Sequence, residues 1–263
     1  MEDRELKLTL KSWARNLLSV WQFLANNKLV PSSQFFWQIG GKDLFREIEL
    51  AREIVQSINP NPIVYYPGIG NIGRAGLDII YPLAVTDFSK LIGADIGPYK
   101  PDPHNYERFV QAVSLNLSLI GTIEQEEIAF QKIGDDEFRT IFPFEGRQRE
   151  LHLFSNFDAT LKYPTELKNG FQAFFTRRTN GLFCRNAVGS ISEHLRAELM
   201  NFLTGNGLVI FQEIMGHDKN LEFKERVAER KLWLGDNFEF APLGLKMHKS
   251  WERLMCFRKK AGN

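Results

Sequence analysis

The N-terminal part of the chain alternates apolar and polar positions with a helical period. Leu6, Leu10, Trp13, Leu17, Trp21 and Leu24 predict a helix over about residues 4–26, and Pro31-Ser32-Ser33 breaks it. A second helix is predicted from Lys42 to Ile58, with Leu44, Ile48, Leu50, Ile54 and Val55 as its buried stripe. It stops at Asn59-Pro60-Asn61-Pro62, because each proline pushes the residue before it out of the helical region. The period then changes. Ile63-Val64-Tyr65-Tyr66 is an unbroken apolar and aromatic run ending at Pro67-Gly68, the pattern of a strand covered on both faces. A helical stretch from about Ala75 to Asp87, interrupted at Pro82, leads to a second strand over Lys90–Ile96. Strand, glycine turn, helix and strand make a βαβ unit, whose crossover is right-handed in nearly all cases.

Beyond the proline-rich loop of residues 98–103, a helix is predicted over Tyr106–Ile120. Strands follow at Glu127–Ile133, Thr140–Phe144, Glu150–Phe157 and Phe171–Thr176, with a turn at Glu145-Gly146-Arg147. Ser192–Leu203 reads as a helix with Ser192 as its N-cap and Gly205 just past its end. Leu208–Phe211 is a strand, Leu221–Leu234 a charged helix, and Phe238–Phe240 and Arg253–Phe257 close the chain as strands. Strands alternating with helices specify an α/β fold with a doubly wound, mostly parallel sheet. The expected organisation is a helical cap over residues 1–60 in front of an α/β core over 61–263, forming one unit.

Composition narrows the function classes. The 263 residues carry 43% hydrophobic and 25% charged side chains, enough for a full core without staples. A net charge of +1 supplies no global field for nucleic acid or a membrane surface, so neither partner is expected. The basic residues near the end, among them Lys246, Arg253 and Lys259, read as a solvated edge. Cys184 and Cys256 sit in separate apolar stretches, as buried reduced thiols do. The opening Met-Glu-Asp-Arg-Glu has the wrong charge for a signal peptide, and no apolar run reaches membrane-spanning length; a cytoplasmic protein is expected.

Gly68-Ile69-Gly70-Asn71-Ile72-Gly73 fits G-x-G-x-x-G between a predicted strand and a predicted helix. Gly68 lets the chain turn sharply, Gly70 removes a side chain where a cofactor approaches, and Gly73 lets helix and strand pack closely. Asp95 ends the second strand about twenty residues on, where nucleotide-binding folds place the carboxylate that accepts ribose hydroxyl hydrogen bonds. The bland alternative is a loop Asp that caps the next segment.

With these residues in view, the chain resembles the class I S-adenosylmethionine-dependent methyltransferases. Tyr65-Tyr66-Pro67-Gly68-Ile69-Gly70 is similar to the family's first motif and Leu91-Ile92-Gly93-Ala94-Asp95-Ile96 to its second-strand motif. Asn156-Phe157-Asp158-Ala159 ends the third strand as a similar pair does there, which implies that Asp158, beside Ala159, meets the adenine amino group. The stretch from Ile191 to Glu213 is similar to the family's helix, glycine turn and fifth strand, and the hairpin from Phe238 to Lys259 to its antiparallel close. The resemblance covers roughly residues 63–259. It implies a seven-stranded sheet with an antiparallel C-terminal strand, and S-adenosylmethionine as cofactor. One departure stands out. The family carries Asp or Glu two residues before the first glycine, and here Tyr66 occupies that place among the cofactor-binding positions. A tyrosine can hydrogen-bond but cannot balance an ammonium group. Asp78 could compensate, or simply complement a helix N-terminus.

Methyl transfer is an in-line displacement that works largely by alignment, so a base is needed only when the acceptor must lose a proton. His217 is the candidate for that base, while Arg177 and Arg178, after the fourth core strand, could clamp a substrate carboxylate or phosphate or be surface charges. Glu213, His217 and Asp218 have no diagnostic metal-ligand spacing, so no metal is expected. Three readings result. The leading one is a methyltransferase acting on a small molecule, with the N-terminal helices roofing the acceptor site. The second is a binding or regulatory module of the same fold without catalysis, and the third a nicotinamide-dependent oxidoreductase.

Overall fold

The computed structural model describes residues 46–69, 79–95, 130–144, 146–177, 193–214, 219–243 and 252–261. The helices expected over residues 4–26 and 106–120 lie outside them. Residues 46–58 form helix α1, whose Ile48, Ala51 and Val55 are buried as their spacing requires. Its end is set at Asn59: the Asn59 N–H donates to Val55 O at 3.2 Å, and the Asn59 side chain accepts from the Asn61 N–H at 2.9 Å. Strand β1 (Ile63–Pro67) follows, then α2 (Ile80–Thr86) and β2 (Lys90–Ala94). Pro82 lies in the first turn of α2, where its missing N–H costs nothing, so it does not break the helix.

The chain continues through β3 (Phe130–Gly134), β4 (Glu137–Phe144), β5 (Arg147–Phe154) and β6 (Phe171–Arg177), with a 3-10 turn at Thr165–Asn169. Helix α3 (Glu193–Phe202), β7 (Leu203–Ile214), α4 (Lys219–Leu234), β8 (Phe238–Ala241) and β9 (Glu252–Lys259) complete it. Among the described residues, all nine strands join one sheet in the order β3-β4-β5-β2-β1-β6-β7-β9-β8. Five neighbours, β5, β2, β1, β6 and β7, run parallel; β9 runs against both β7 and β8. The seven strands expected from the resemblance are therefore present, with the antiparallel close. Among the described residues, β3 and β4 extend this sheet as an antiparallel pair folded back against β5.

Alternation along the central strands divides the apolar residues between two faces. Val64, Tyr66, Leu91, Leu151, Leu153 and Phe175 pack with Ile48, Ala51 and Val55 of α1 and Leu83 of α2. Tyr65, Ile92, Phe174, Val209 and Met255 pack on the other side with Leu195 and Leu199 of α3 and Trp233 of α4. Both faces of the sheet are thus covered, the condition that allows its parallel strands to be apolar throughout. Each such buried side chain contributes about 1.5–3 kcal/mol relative to exposure. Helix α1 belongs to this packing: buried Glu47 accepts from Arg253 Nη2 at 3.0 Å and from the Leu254 N–H at 2.9 Å, tying α1 to β9.

Candidate functional site

The sheet order places the carboxyl ends of β5, β2 and β1 side by side. Beyond β1 the chain turns at Gly68, whose φ of 74° lies in the left-handed region that favours glycine. The Gly68 and Ile69 N–H groups both donate to Ala94 O, at 2.6 and 3.2 Å, so the turn is fastened to the end of β2. Ile69 then folds back into the core. A Cβ on Gly93 would lie 2.9 Å from Ile69 Cδ1 and 2.7 Å from Leu153 Cδ2, so a glycine is required there for Ile69 to tuck over β2.

Asp95 stands immediately after β2, beside this turn. Its N–H donates to Phe154 O at 3.0 Å and its carbonyl accepts from the Phe157 N–H at 2.9 Å, which locks it to the end of β5. The residue is 9% exposed. Asp158 comes next along that edge. Its Oδ1 accepts from the Thr160 N–H at 2.9 Å and from the Thr160 hydroxyl at 2.5 Å, a local turn that fixes the carboxylate after β5. Ala159 is buried. The structure therefore brings Gly68, Asp95, Asp158 and Ala159 to one edge of three adjacent strands. Gly70, Gly73, Asp78, Arg178, His217 and Asp218 lie outside the described residues, and Arg177 is placed only as the last residue of β6.

Tyr66, one residue before Pro67, is only 1% exposed. Its ring sits edge-on to Phe175 with centroids 5.0 Å apart, within the apolar cluster that α1 covers. Glu213, at the end of β7, is engaged by arginines: Arg230 donates to its Oε1 at 2.6 Å and Arg226 to its Oε2 at 3.2 Å. Arg230 also stacks over Trp233 at 3.6 Å. Glu213 thus anchors α4 to the sheet.

Two buried polar groups escaped the sequence reading. Asp87, in the left-handed region with φ of 51°, accepts from Arg52 at 3.2 Å, from Arg149 at 2.5 Å and from Arg147. This cluster lies at the amino ends of the strands, away from Asp95. Glu198 of α3 faces Tyr65 in the interior. Burial pushes its carboxyl up to about 9, and burial, with Glu198 second, raises the Tyr65 phenol well above its usual range. Their partners are far apart in sequence; only the spacing of His194 and Glu198, one turn apart on α3, carried a signal, and His194 Nε2 lies 3.3 Å from Glu198 Oε1.

The order β5-β2-β1-β6-β7-β9-β8, parallel until its reversed penultimate member, decides the architecture. It is the mixed, mostly parallel, doubly wound order that the resemblance to the class I methyltransferases implies. No family model matches the chain, and no curated protein does. Among solved structures, the chain is similar to a TehB-like SAM-dependent methyltransferase from Corynebacterium glutamicum, at 15% identity over 95% of this chain and 99% of that one, with a TM-score of 0.37. It is also similar to the precorrin-6y C5,15-methyltransferase of Geobacter metallireducens, at 12% identity over 81% and 89% of the two chains, TM-score 0.35. The StiE O-MT, residues 942–1257, gives 13% identity over 81% and 73%, TM-score 0.41. Among the described residues, no helix is long and apolar enough to cross a membrane.

Proposed function

We propose that this chain binds S-adenosylmethionine at the shared carboxyl edge of β5, β2 and β1 and passes its methyl group to a small molecule. One observation carries the reading: a mostly buried Asp95 held at the end of β2, beside a glycine turn fastened to the same strand end. Ligands of open α/β sheets bind outside the carboxyl ends of the strands, and an acid at this place accepts ribose hydroxyl hydrogen bonds. The cofactor supplies an electrophilic methyl on a sulfonium. The residues present suit its nucleoside half: Asp95 for the ribose, the backbone of the Gly68 turn for close approach, and Asp158 with Ala159 along the base. Alignment of the two reactants is the protein's main task in such a displacement. The net charge of +1 supports a small acceptor over a nucleic acid.

Tyr66 favours a second reading. The position that carries an acid in the family is here a ring packed on Phe175 in the core, which offers the cofactor's ammonium group no countercharge. A binding module of this fold without methyl transfer would need none. Titration calorimetry with S-adenosylhomocysteine, run beside reduced and oxidised nicotinamide cofactors, separates the readings. Binding of S-adenosylhomocysteine supports the site, and Asp95→Ala is then expected to weaken it by about 1–3 kcal/mol, the scale of a lost charged hydrogen bond. Turnover with S-adenosylmethionine distinguishes enzyme from binding module. Binding of a nicotinamide cofactor alone, or an Asp95→Ala variant with undiminished affinity, overturns the proposal.

A further inference from the structure

Near the end of β5, three side chains from separate elements converge on the sheet face that also carries Tyr65 and Ile92. They are Glu137 at the start of β4, His152 within β5, and Glu166 in the 3-10 turn after β5. One donor atom from each lies within 4.8 Å of the others. The His152 side chain is 6% exposed, while Glu137 and Glu166 are 31% and 24% exposed, so a ring held in the interior meets two carboxylates that reach solvent.

The two ring nitrogens differ. His152 Nε2 lies 2.7 Å from Glu137 Oε1, a full hydrogen bond. Nδ1 is buried and has no hydrogen-bond partner among the described residues; it faces Glu166 Oε1 across 3.7 Å. The other oxygen of Glu166 accepts from the Thr165 hydroxyl at 3.3 Å, which leaves Oε1 turned to the ring. With Nε2–H given to Glu137, Nδ1 carries a lone pair and faces a carboxylate oxygen beyond hydrogen-bond reach, as two donors to one cation do. In a tetrahedral zinc site, with bonds of about 2.0–2.1 Å, such donors stand about 3.4 Å apart. A few tenths of an ångström of closure would suffice.

We infer that His152 Nδ1 and Glu166 form a binding site for a divalent transition-metal cation, with Glu137 as the positioning carboxylate that fixes the ring. By accepting from Nε2–H, Glu137 holds the tautomer that leaves Nδ1 unprotonated. Ligating histidines use their second nitrogen in this way. Local charge supports it. Arg139, opposite His152 across the β4–β5 pair, is engaged by Glu150 at 2.9 and 3.0 Å, so the two glutamates at the site are not neutralised by it. One nitrogen with one or two carboxylate oxygens suits zinc or manganese rather than magnesium or a soft thiolate-seeking ion. Bound there, the ion would pin the 3-10 turn to β5 and stiffen the segment that carries Asp158. The inference stands independently of cofactor binding.

The test uses the untagged full chain, stripped with chelator and titrated calorimetrically with Zn2+, Mn2+ and Mg2+. Zn2+ is expected to bind one to one with micromolar or tighter affinity and to raise the melting temperature, and Mg2+ to do neither. Glu166→Gln keeps the side chain's size and is expected to weaken zinc at least hundredfold, whereas Glu137→Gln weakens it about ten- to hundredfold. X-ray absorption of the zinc-loaded chain should show a nitrogen and oxygen shell containing one imidazole, a readout that does not depend on any variant folding. Absence of stoichiometric binding, equal affinity in Glu166→Gln, or a shell without imidazole would overturn the inference.

Discussion

Glu198 shows how a single buried acid can govern solution behaviour. Neither of its oxygens has a hydrogen-bond partner among the described residues, nor does the Tyr65 hydroxyl. Burial raises its carboxyl from 4.5 to about 9. Above pH 4.5 the unfolded chain ionises this group while the folded chain keeps its proton, so its contribution to stability falls as pH rises toward 9. Glu198→Gln is expected to flatten the stability profile over that window and to add about 1–3 kcal/mol at pH 8, as denaturant titrations at pH 5 and pH 8 would reveal. A slope equal to that of the parent would remove Glu198 from the explanation. At this scale the sequence was legible where chemistry and spacing coincide. Gly68 and Asp95 stood out because a turn and an acid are separated by one βαβ unit. His152 did not, since Glu137 and Glu166 lie fifteen and fourteen residues away and meet it only through a hairpin and a 3-10 turn.

Among elements, the joints are more demanding than the spans. Asp87 links α1, the end of α2 and β5 through Arg52, Arg147 and Arg149, and the Asp87 carbonyl also accepts from Arg149 Nη1 at 2.8 Å. Asp87→Asn keeps a residue tolerant of the left-handed backbone but leaves three guanidinium groups without their carboxylate. A loss of about 3–5 kcal/mol is expected from urea unfolding, the range for breaking a buried ion pair on one side. A second joint runs from α3 into β7. There the pairing with β6 jumps from Phe171↔Leu203 to Ala173↔Leu208, so residues 204–207 bulge. A Cβ on Gly207 would stand 2.7 Å from Leu203 Cδ1 and 2.9 Å from Thr204 O. Gly207→Ala is therefore expected to lower the melting temperature, by about 1–3 kcal/mol in free energy. Sequence periodicity found the apolar half of each such element. It placed a strand at Thr140–Phe144 but missed Glu137-Phe138-Arg139, because a strand near the sheet's edge has a polar outer face and Arg139 there serves Glu150. It likewise started β7 at Leu208, since a bulge has no period.

For the molecule as a whole, the sheet is a gradient from a buried centre to two edges. β1 and β2 are covered on both faces, whereas Ile133 of β3 and Ile141 of β4 are about half exposed, at 47% and 51%. Amide exchange followed by mass spectrometry should be slowest in β1, β2 and β6 and fastest in β3; uniform protection across the sheet would contradict this. The doubly wound architecture was readable from alternation of strand and helix patterns. The two extra strands were not assigned to the sheet, because an antiparallel hairpin on a parallel edge leaves no mark in local spacing.

The position of β9 bears on how the molecule comes into being. The last strand slots between two earlier ones, and its Arg253 and Leu254 are the partners of Glu47 near the start of the described chain. On the ribosome, α1 emerges long before residues 252–259, so Glu47 is made well ahead of the strand that donates to it. A nascent chain halted ahead of Glu252 leaves the facing edges of β7 and β8 bare, inviting chaperones or self-association. Completion of the sheet is thus deferred until β9 has emerged.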